Sequence, residues 1–255
     1  MPLRKKKRLS SVRLKPKLTG LPFQKFIPNL LTLTALCAGL TSVRFALESR
    51  WEIAVILIFV SIVLDGMDGR IARLLGSTSK FGAELDSFAD FCNFGIVPGL
   101  VIYLYALKDL GRFGWSFVLF YTLCMVLRLA RFNTLLDSPV KSNFFTGVSA
   151  PFGALLALLP MMTQFQLEDT YHVFPISYGV WMGVVSCLLI SRIPTFALKN
   201  GRVPKVWILP IFIGVGLGTA SVIAFPWATL TFGGILYVAS IPFSIRAAKK
   251  EKASI

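Results

Sequence analysis

Eight stretches of this chain stay apolar for about the 20 residues that a helix needs to cross a bilayer. Their approximate limits are residues 29–48, 51–73, 83–107, 113–133, 146–164, 173–193, 205–224 and 227–246. Backbone N–H and C=O groups find no water in lipid, so each stretch is expected to close its own hydrogen bonds as a helix. The fold class expected is an all-α polytopic membrane protein with about eight transmembrane helices. The composition agrees: 55% of residues are hydrophobic, only 15% are charged, and the mean hydropathy is +0.70. A soluble domain does not carry that balance.

The net charge of +15 is concentrated in three places: RKKKRLSSVRLKPK near the start, SRIPTFALKNGRVPK, and SIRAAKKEK near the end. Three regions follow: a basic arm (1–20), a transmembrane catalytic domain (21–246) and a basic tail (247–255). With apolar spans following it, the arm reads as topogenic or lipid-facing, so nucleic acid is not an expected partner and membrane lipid is. No cleaved leader is expected, since no small-residue cleavage site follows the run. Short connections at residues 48–50 and 225–228 imply antiparallel neighbours. An even number of spans puts both termini on one side. That side also collects Arg70, Arg73, Lys80, Arg131, Lys141, Arg192, Lys199, Arg202 and Lys205, and the positive-inside rule makes it cytoplasmic. A compact chain without organelle signals points to a prokaryotic inner membrane. Cys37, Cys92, Cys124 and Cys187 fall in apolar segments without a CxxC, and His172 stands alone, so neither a thiolate nor a histidine metal site is expected.

The polar exception to this pattern is the run from Asp65 to Asp90, DGMDGRIARLLGSTSKFGAELDSFAD. Asp65 and Asp68 share a helix face at the end of the second span, continued by Gly69, Ala72 and Arg73. Gly82, Asp86 and Asp90 form a second stripe on the third, extended by Asn93, and a short GSTSK turn lets the stripes face each other. Ionisable groups at the edge of apolar spans are costly and point to function. A single Asp-Arg pair or a single DG would be structural, but four acids with glycines on two facing stripes are not explained that way. The carboxylates repel, and divalent cations resolve the repulsion. Oxygen ligands without Cys or His suit Mg²⁺ or Mn²⁺. Two such ions could clamp a diphosphate, with Arg70 and Arg73 adding positive charge. Gly69 and Gly82 would let a ligand approach the backbone.

The spacing Asp65-x2-Asp68-Gly69-x2-Ala72-Arg73-x8-Gly82-x3-Asp86-x3-Asp90 resembles, at every defining position, the signature of the CDP-alcohol phosphatidyltransferases. FGAELDSFADFCNFGIVPG, LRLARFN, FFTGVSAP and SRIPTF are similar to the phosphatidylserine synthase branch. Two positions depart from it: Asn93 stands where a serine is expected, and FFTGVSAP lacks an expected Leu-Pro. The resemblance implies the CDP-alcohol phosphotransferase fold and transfer of a phosphatidyl group from CDP-diacylglycerol to L-serine, with release of CMP. By the same resemblance Asp65, Asp68, Asp86 and Asp90 hold the metal ions, and Asp90 is the general base. Gly69, Ala72, Arg73 and Gly82, with Asp65 and Asp68, line the CDP-diacylglycerol site, and the chain is a homodimer.

The acceptor site rests on the residues alone. A serine carboxylate needs a cation, and Arg128, Arg131 and Asn133 gather at the end of the fourth span, with Arg192 approaching from the sixth. Glycerol 3-phosphate would want a denser basic cluster, while choline would want an aromatic cage, for which Phe132, Phe144 and Phe145 are available. An inositol compound is a further alternative within the class. A cation transporter would spread its acids over several helices near the midplane, and an inactive scaffold would leave chemical positions unfilled. Replacing Arg131 with Ala should raise the apparent KM for serine far more than that for the nucleotide-linked donor. Equal effects on both, measured by steady-state kinetics, would refute a carboxylate-binding role.

Overall fold

The computed structural model describes residues 26–136, 144–167, 174–191, 193–196 and 205–253. The basic arm, Lys141, His172, Arg192, Lys199 and Arg202 lie outside the described residues. Within them the chain forms eight helical rods, close to the expected segments. These are α1 (Ile27–Leu47), α2 (Trp51–Leu74), a composite third rod (Lys80–Leu110), α5 (Arg112–Leu136), α6 (Ala150–Gln166), α7 (Pro175–Ile190), α8 (Lys205–Ala224) and α9 (Pro226–Ala253). The composite rod runs through α3 (Lys80–Asp90), a π-helical turn (Phe91–Ile96), α4 (Val97–Ile102), a second π turn (Tyr103–Leu107) and a 3₁₀ turn (Lys108–Leu110).

Ile27–Leu47, Lys80–Leu110, Arg112–Thr134 and Pro226–Ile245 are each long and apolar enough to cross a membrane, and Pro175–Ile190 and Phe212–Ala224 are shorter apolar helices. The other two rods fall short for visible reasons. α2 carries Asp65, Asp68, Arg70 and Arg73 in its last turns, and α6 has 17 residues. Phe212, Ile223 and Phe225, like many outward apolar side chains, are exposed, as befits a surface that meets lipid. Sequence reading missed one short antiparallel ladder. β1 (Phe144–Thr146) pairs with β2 (Pro194–Phe196), Phe144 opposite Phe196, so the expected fifth span begins at Ala150 and not at 146. α9 continues as helix through Ala253, beyond the apolar span that ends at Ile245.

Small residues bring the rods together. The buried stripe of α1 is Pro28, Thr32, Ala35, Gly39, Ser42 and Ala46, which lets α2 and the third rod approach its backbone. A Cβ at Gly179 of α7 would lie 2.6 Å from the Phe117 ring of α5, and one at Gly153 of α6 2.6 Å from Leu189 of α7. Backbone groups freed by irregularities are repaired by side chains. Pro160 has no N–H for the carbonyl of Leu156, and the indole N–H of Trp181 donates to that oxygen at 2.7 Å. The Tyr121 hydroxyl donates to Phe94 O at 2.7 Å and that of Thr122 to Gly95 O at 3.3 Å, both within the first π turn. Edge-to-face contacts of Trp51, Tyr105, Phe165 and Trp227 tie four rods together at the start of α2, the end away from its acids.

Gly179→Val should force the Phe117 ring out of its place and cost about 1–3 kcal/mol of overpacking. Thermal unfolding in detergent should show a lower Tm, whereas an unchanged Tm would mean that α5 and α7 do not pack this closely.

Candidate metal and diphosphate site

The turn between α2 and α3 is capped on both sides, which fixes how the two acidic stripes meet. Gly76 has φ +57°, and the N–H groups of Gly76 and Ser77 donate to Arg73 O (3.3 Å) and Ala72 O (2.9 Å). This is a Schellman end, which needs a residue tolerant of the left-handed region. Three residues on, Ser79 caps α3 by accepting from Gly82 N at 3.0 Å. Helix end and helix start are thus both written into GSTSK.

The facing stripes bring Asp65, Asp68 and Asp86 together, with one carboxylate oxygen from each within 4.8 Å of the others. Asp68 is buried at 3% exposure, and Thr32 Oγ1 of α1 donates to its Oδ2 at 2.6 Å. Asp90 does not belong to this tight trio. Its carboxyl meets that of Asp65, and its Oδ1 is buried without a hydrogen-bond partner. Among the described residues no Lys or Arg lies within ion-pair distance of these four acids. Three converging carboxylates with no neutralising cation, and a fourth with an orphaned oxygen beside them, suit a divalent cation with oxygen ligands. The cluster could hold such a metal.

The glycines differ in their reasons. A Cβ at Gly69 would meet nothing within 4 Å, so the space over this turn of α2 is open to a ligand. At Gly82 a Cβ would lie 3.0 Å from Asn29 Oδ1 and 3.1 Å from Ser79 Oγ, so this position serves the meeting of α1 and α3. Ala72 is half-buried, and the exposed Arg73 donates from Nε to Gly69 O at 3.0 Å.

The expected acceptor residues make different contacts. Arg128 acts on Asp90 from α5, and its Nε is anchored on Val148 O at 2.6 Å. Arg131 donates from Nη1 to Ile190 O (2.8 Å) and from Nη2 to Ser191 O (3.3 Å), where it covers the carbonyl end of α7. Asn133 donates from Nδ2 to Ser87 Oγ at 3.1 Å and ties α5 to α3 beside Asp86. Arg192 lies outside the described residues. Asn93 lies in the π turn after Asp90 and is buried against Gly39 of α1. Sequence reading missed Thr32 and Asn29. Their signal was a set of polar side chains, Asn29, Thr32 and Thr34, in the apolar start of α1. An open groove of about 430 Å³ lined by Arg50, Trp51, Glu52, Tyr105 and Phe165 lies at the other end of α2, away from the acids.

A fold of apolar helices with an acid cluster at one end of α2 and α3 defines an integral membrane protein whose carboxylates could hold a metal ion. The family model described as CDP-alcohol phosphatidyltransferase matches residues 25–191, and a second, CDP-alcohol phosphatidyltransferase 2, matches residues 206–242. The chain belongs to the CDP-alcohol phosphatidyltransferase family. It is 37% identical to a CDP-diacylglycerol–serine O-phosphatidyltransferase of Mycobacterium leprae over 225 residues, 87% of this chain and 75% of that protein. It is 32% identical to the protein of that name from Helicobacter pylori, covering 83% of this chain and 87% of the relative. With the Bacillus subtilis protein of that name it shares 33% identity over 66% of this chain and 88% of the relative.

Thr32→Val should remove the side-chain donor to Asp68. Losing such an outer partner typically weakens metal binding about 10–100-fold. Titration with Mn²⁺, followed by electron paramagnetic resonance, reads this directly, and unchanged affinity would remove Thr32 from the site.

Proposed function

We propose that this chain transfers the phosphatidyl group of CDP-diacylglycerol to L-serine, forming phosphatidylserine and CMP. One observation carries the reading. A trio of carboxylates faces an open glycine turn, and a fourth acid stands beside it with an unpaired oxygen. The names of the relatives, which act on the same donor and acceptor, support it. Asp65, Asp68 and Asp86, with Asp90 at the edge of the cluster, would hold the divalent metal, Mg²⁺ or Mn²⁺ and two ions in our reading. When bound, the metal supplies charge neutralisation on the diphosphate. Gly69 and Ala72 give the donor close access to α2, and Arg73 adds a positive charge at the mouth.

Asp90 is the general base. The serine hydroxyl oxygen attacks the phosphorus that carries diacylglycerol, and the bond from that phosphorus to the CMP oxygen breaks. The serine proton passes to the Asp90 carboxylate, and CMP leaves with the bonding electron pair. Arg128, which acts on Asp90 and is fixed through Val148 O, is the cation best placed for the serine carboxylate. Arg131 shares that carboxylate with Arg128 while also holding the carbonyl end of α7, and Asn133 and Arg192 complete the acceptor set. The site opens to the cytoplasm of a prokaryotic inner membrane, where CMP is released. Both termini, including the basic arm 1–20 and the tail 247–255, lie on that side, and the transmembrane catalytic domain 21–246 works as a homodimer. The acyl chains of the donor stay in lipid throughout.

Detergent-purified protein given CDP-diacylglycerol, Mn²⁺ or Mg²⁺ and serine should release CMP. Chelator should stop the reaction, and Asp90→Asn should lower kcat by about 100-fold or more, at the scale of general-base catalysis. Turnover with glycerol 3-phosphate, an inositol compound or choline in place of serine would overturn the acceptor assignment and leave the metal site standing.

A further inference from the structure

Asn93 is 1% exposed, and its Oδ1 makes no hydrogen bond. A buried unpaired amide is unfavourable, so its retention calls for a reason. Its neighbour supplies one. A Cβ at Gly39 of α1 would lie 2.1 Å from Asn93 Oδ1 and 2.9 Å from its Cγ, so the amide occupies the place where a side chain at 39 would stand. A carbonyl oxygen is smaller than a methyl group and tolerates a glycine Cα–H. Leu, the nearest apolar shape, would therefore not fit as closely.

The position of this contact gives it consequence. The π turn Phe91–Ile96 begins at the residue after Asp90. One extra residue per turn rotates the helix beyond it by about 100° relative to an unbroken α-helix. Asn93 stands inside that turn, three residues after Asp90, and is buried against Gly39 of α1, while the carboxyl of Asp90 meets that of Asp65. From the opposite side α5 holds the same turn through Tyr121 on Phe94 O and Thr122 on Gly95 O. The turn is clamped between two helices, with the Gly39–Asn93 contact as the α1 jaw.

We propose that Asn93, seated against Gly39, is a positioning residue for Asp90. It sets the rotation of the π turn and with it the aim of the Asp90 carboxyl. The proposal rests on Asp90 being the base. The contact is a matched pair of shapes, so either partner changed alone spoils it and a compensating change restores it.

The test compares Gly39→Ala, Asn93→Ser and the double variant in steady-state CMP release, with each rate normalised to the folded fraction from gel filtration and thermal unfolding. A misplacement of about 1 Å can cost ~100-fold, so each single variant should lower kcat by about 10–100-fold. The KM for CDP-diacylglycerol should stay within about 2-fold, because the loss falls on the chemical step and not on donor binding. The double variant should recover to within about 5-fold of the parent, since the new methyl fills the space that the shorter side chain vacates. A single variant with parental kcat, a double variant no better than the singles, or losses that only track the folded fraction would overturn the proposal. Where Gly39→Ala does not fold, Asn93→Ser against the double variant decides by the same criteria. Asp90→Asn, run alongside, separates the two ideas. If it keeps parental turnover, the base assignment fails. If it is inactive while the pair shows no compensation, only the positioning role fails.

Discussion

Four carboxylates crowded at one end of an apolar bundle repel one another, and the packing around them is what keeps them together. α2 and the third rod carry the acids, but neither holds them in place alone. α1 lies along both. Its small-residue stripe lets the two acidic helices come close, Thr32 donates to Asp68, and Asn29 stands against Gly82. α5 closes the other side with Arg128 and with Asn133 on Ser87. The acids are therefore held in a preset arrangement, and the cost of assembling like charges is met by helix packing.

Away from the acids, the bundle works by leaving few backbone groups unpaired. Where Pro160 removes a donor, Trp181 supplies one from the next helix. Where a π turn loosens the third rod, two hydroxyls of α5 take up its carbonyls. Such repairs matter more in a membrane than in water, because no solvent stands ready to fill a missing hydrogen bond. They also explain how a helix can be irregular just beside Asp90. Asp90, at the end of α3, meets Asp65, and Asn93, within the turn, is buried against Gly39.

Much of the site could be read directly from residue order. Asp65, Asp68 and Asp86 meet as their spacing suggested, because helix periodicity and the GSTSK caps leave the two stripes little choice. The arginines of α5 were less legible. Arg128 and Arg131 look alike in sequence, three residues apart at the end of one helix. Only the packing of α7 and the Val148 carbonyl distinguishes them, leaving Arg131 on helix-end carbonyls and Arg128 toward Asp90. Thr32 and Asn29 were overlooked because their partners lie about 36 and 53 residues away, beyond any local pattern.

Sequence by itself determined the helical, membrane-spanning character of the chain, the order of its rods and the placing of its acids on two joined stripes. Those properties follow from local periodicity and the bilayer's length scale, which short windows of sequence carry. Tertiary structure alone decided the π turn after Asp90, the short β1–β2 ladder, the contact of Asn93 with Gly39 and the different duties of two neighbouring arginines. Each depends on a partner from a distant helix. Which atom fills a gap or accepts a proton is settled by how helices pack, not by the helix that carries it.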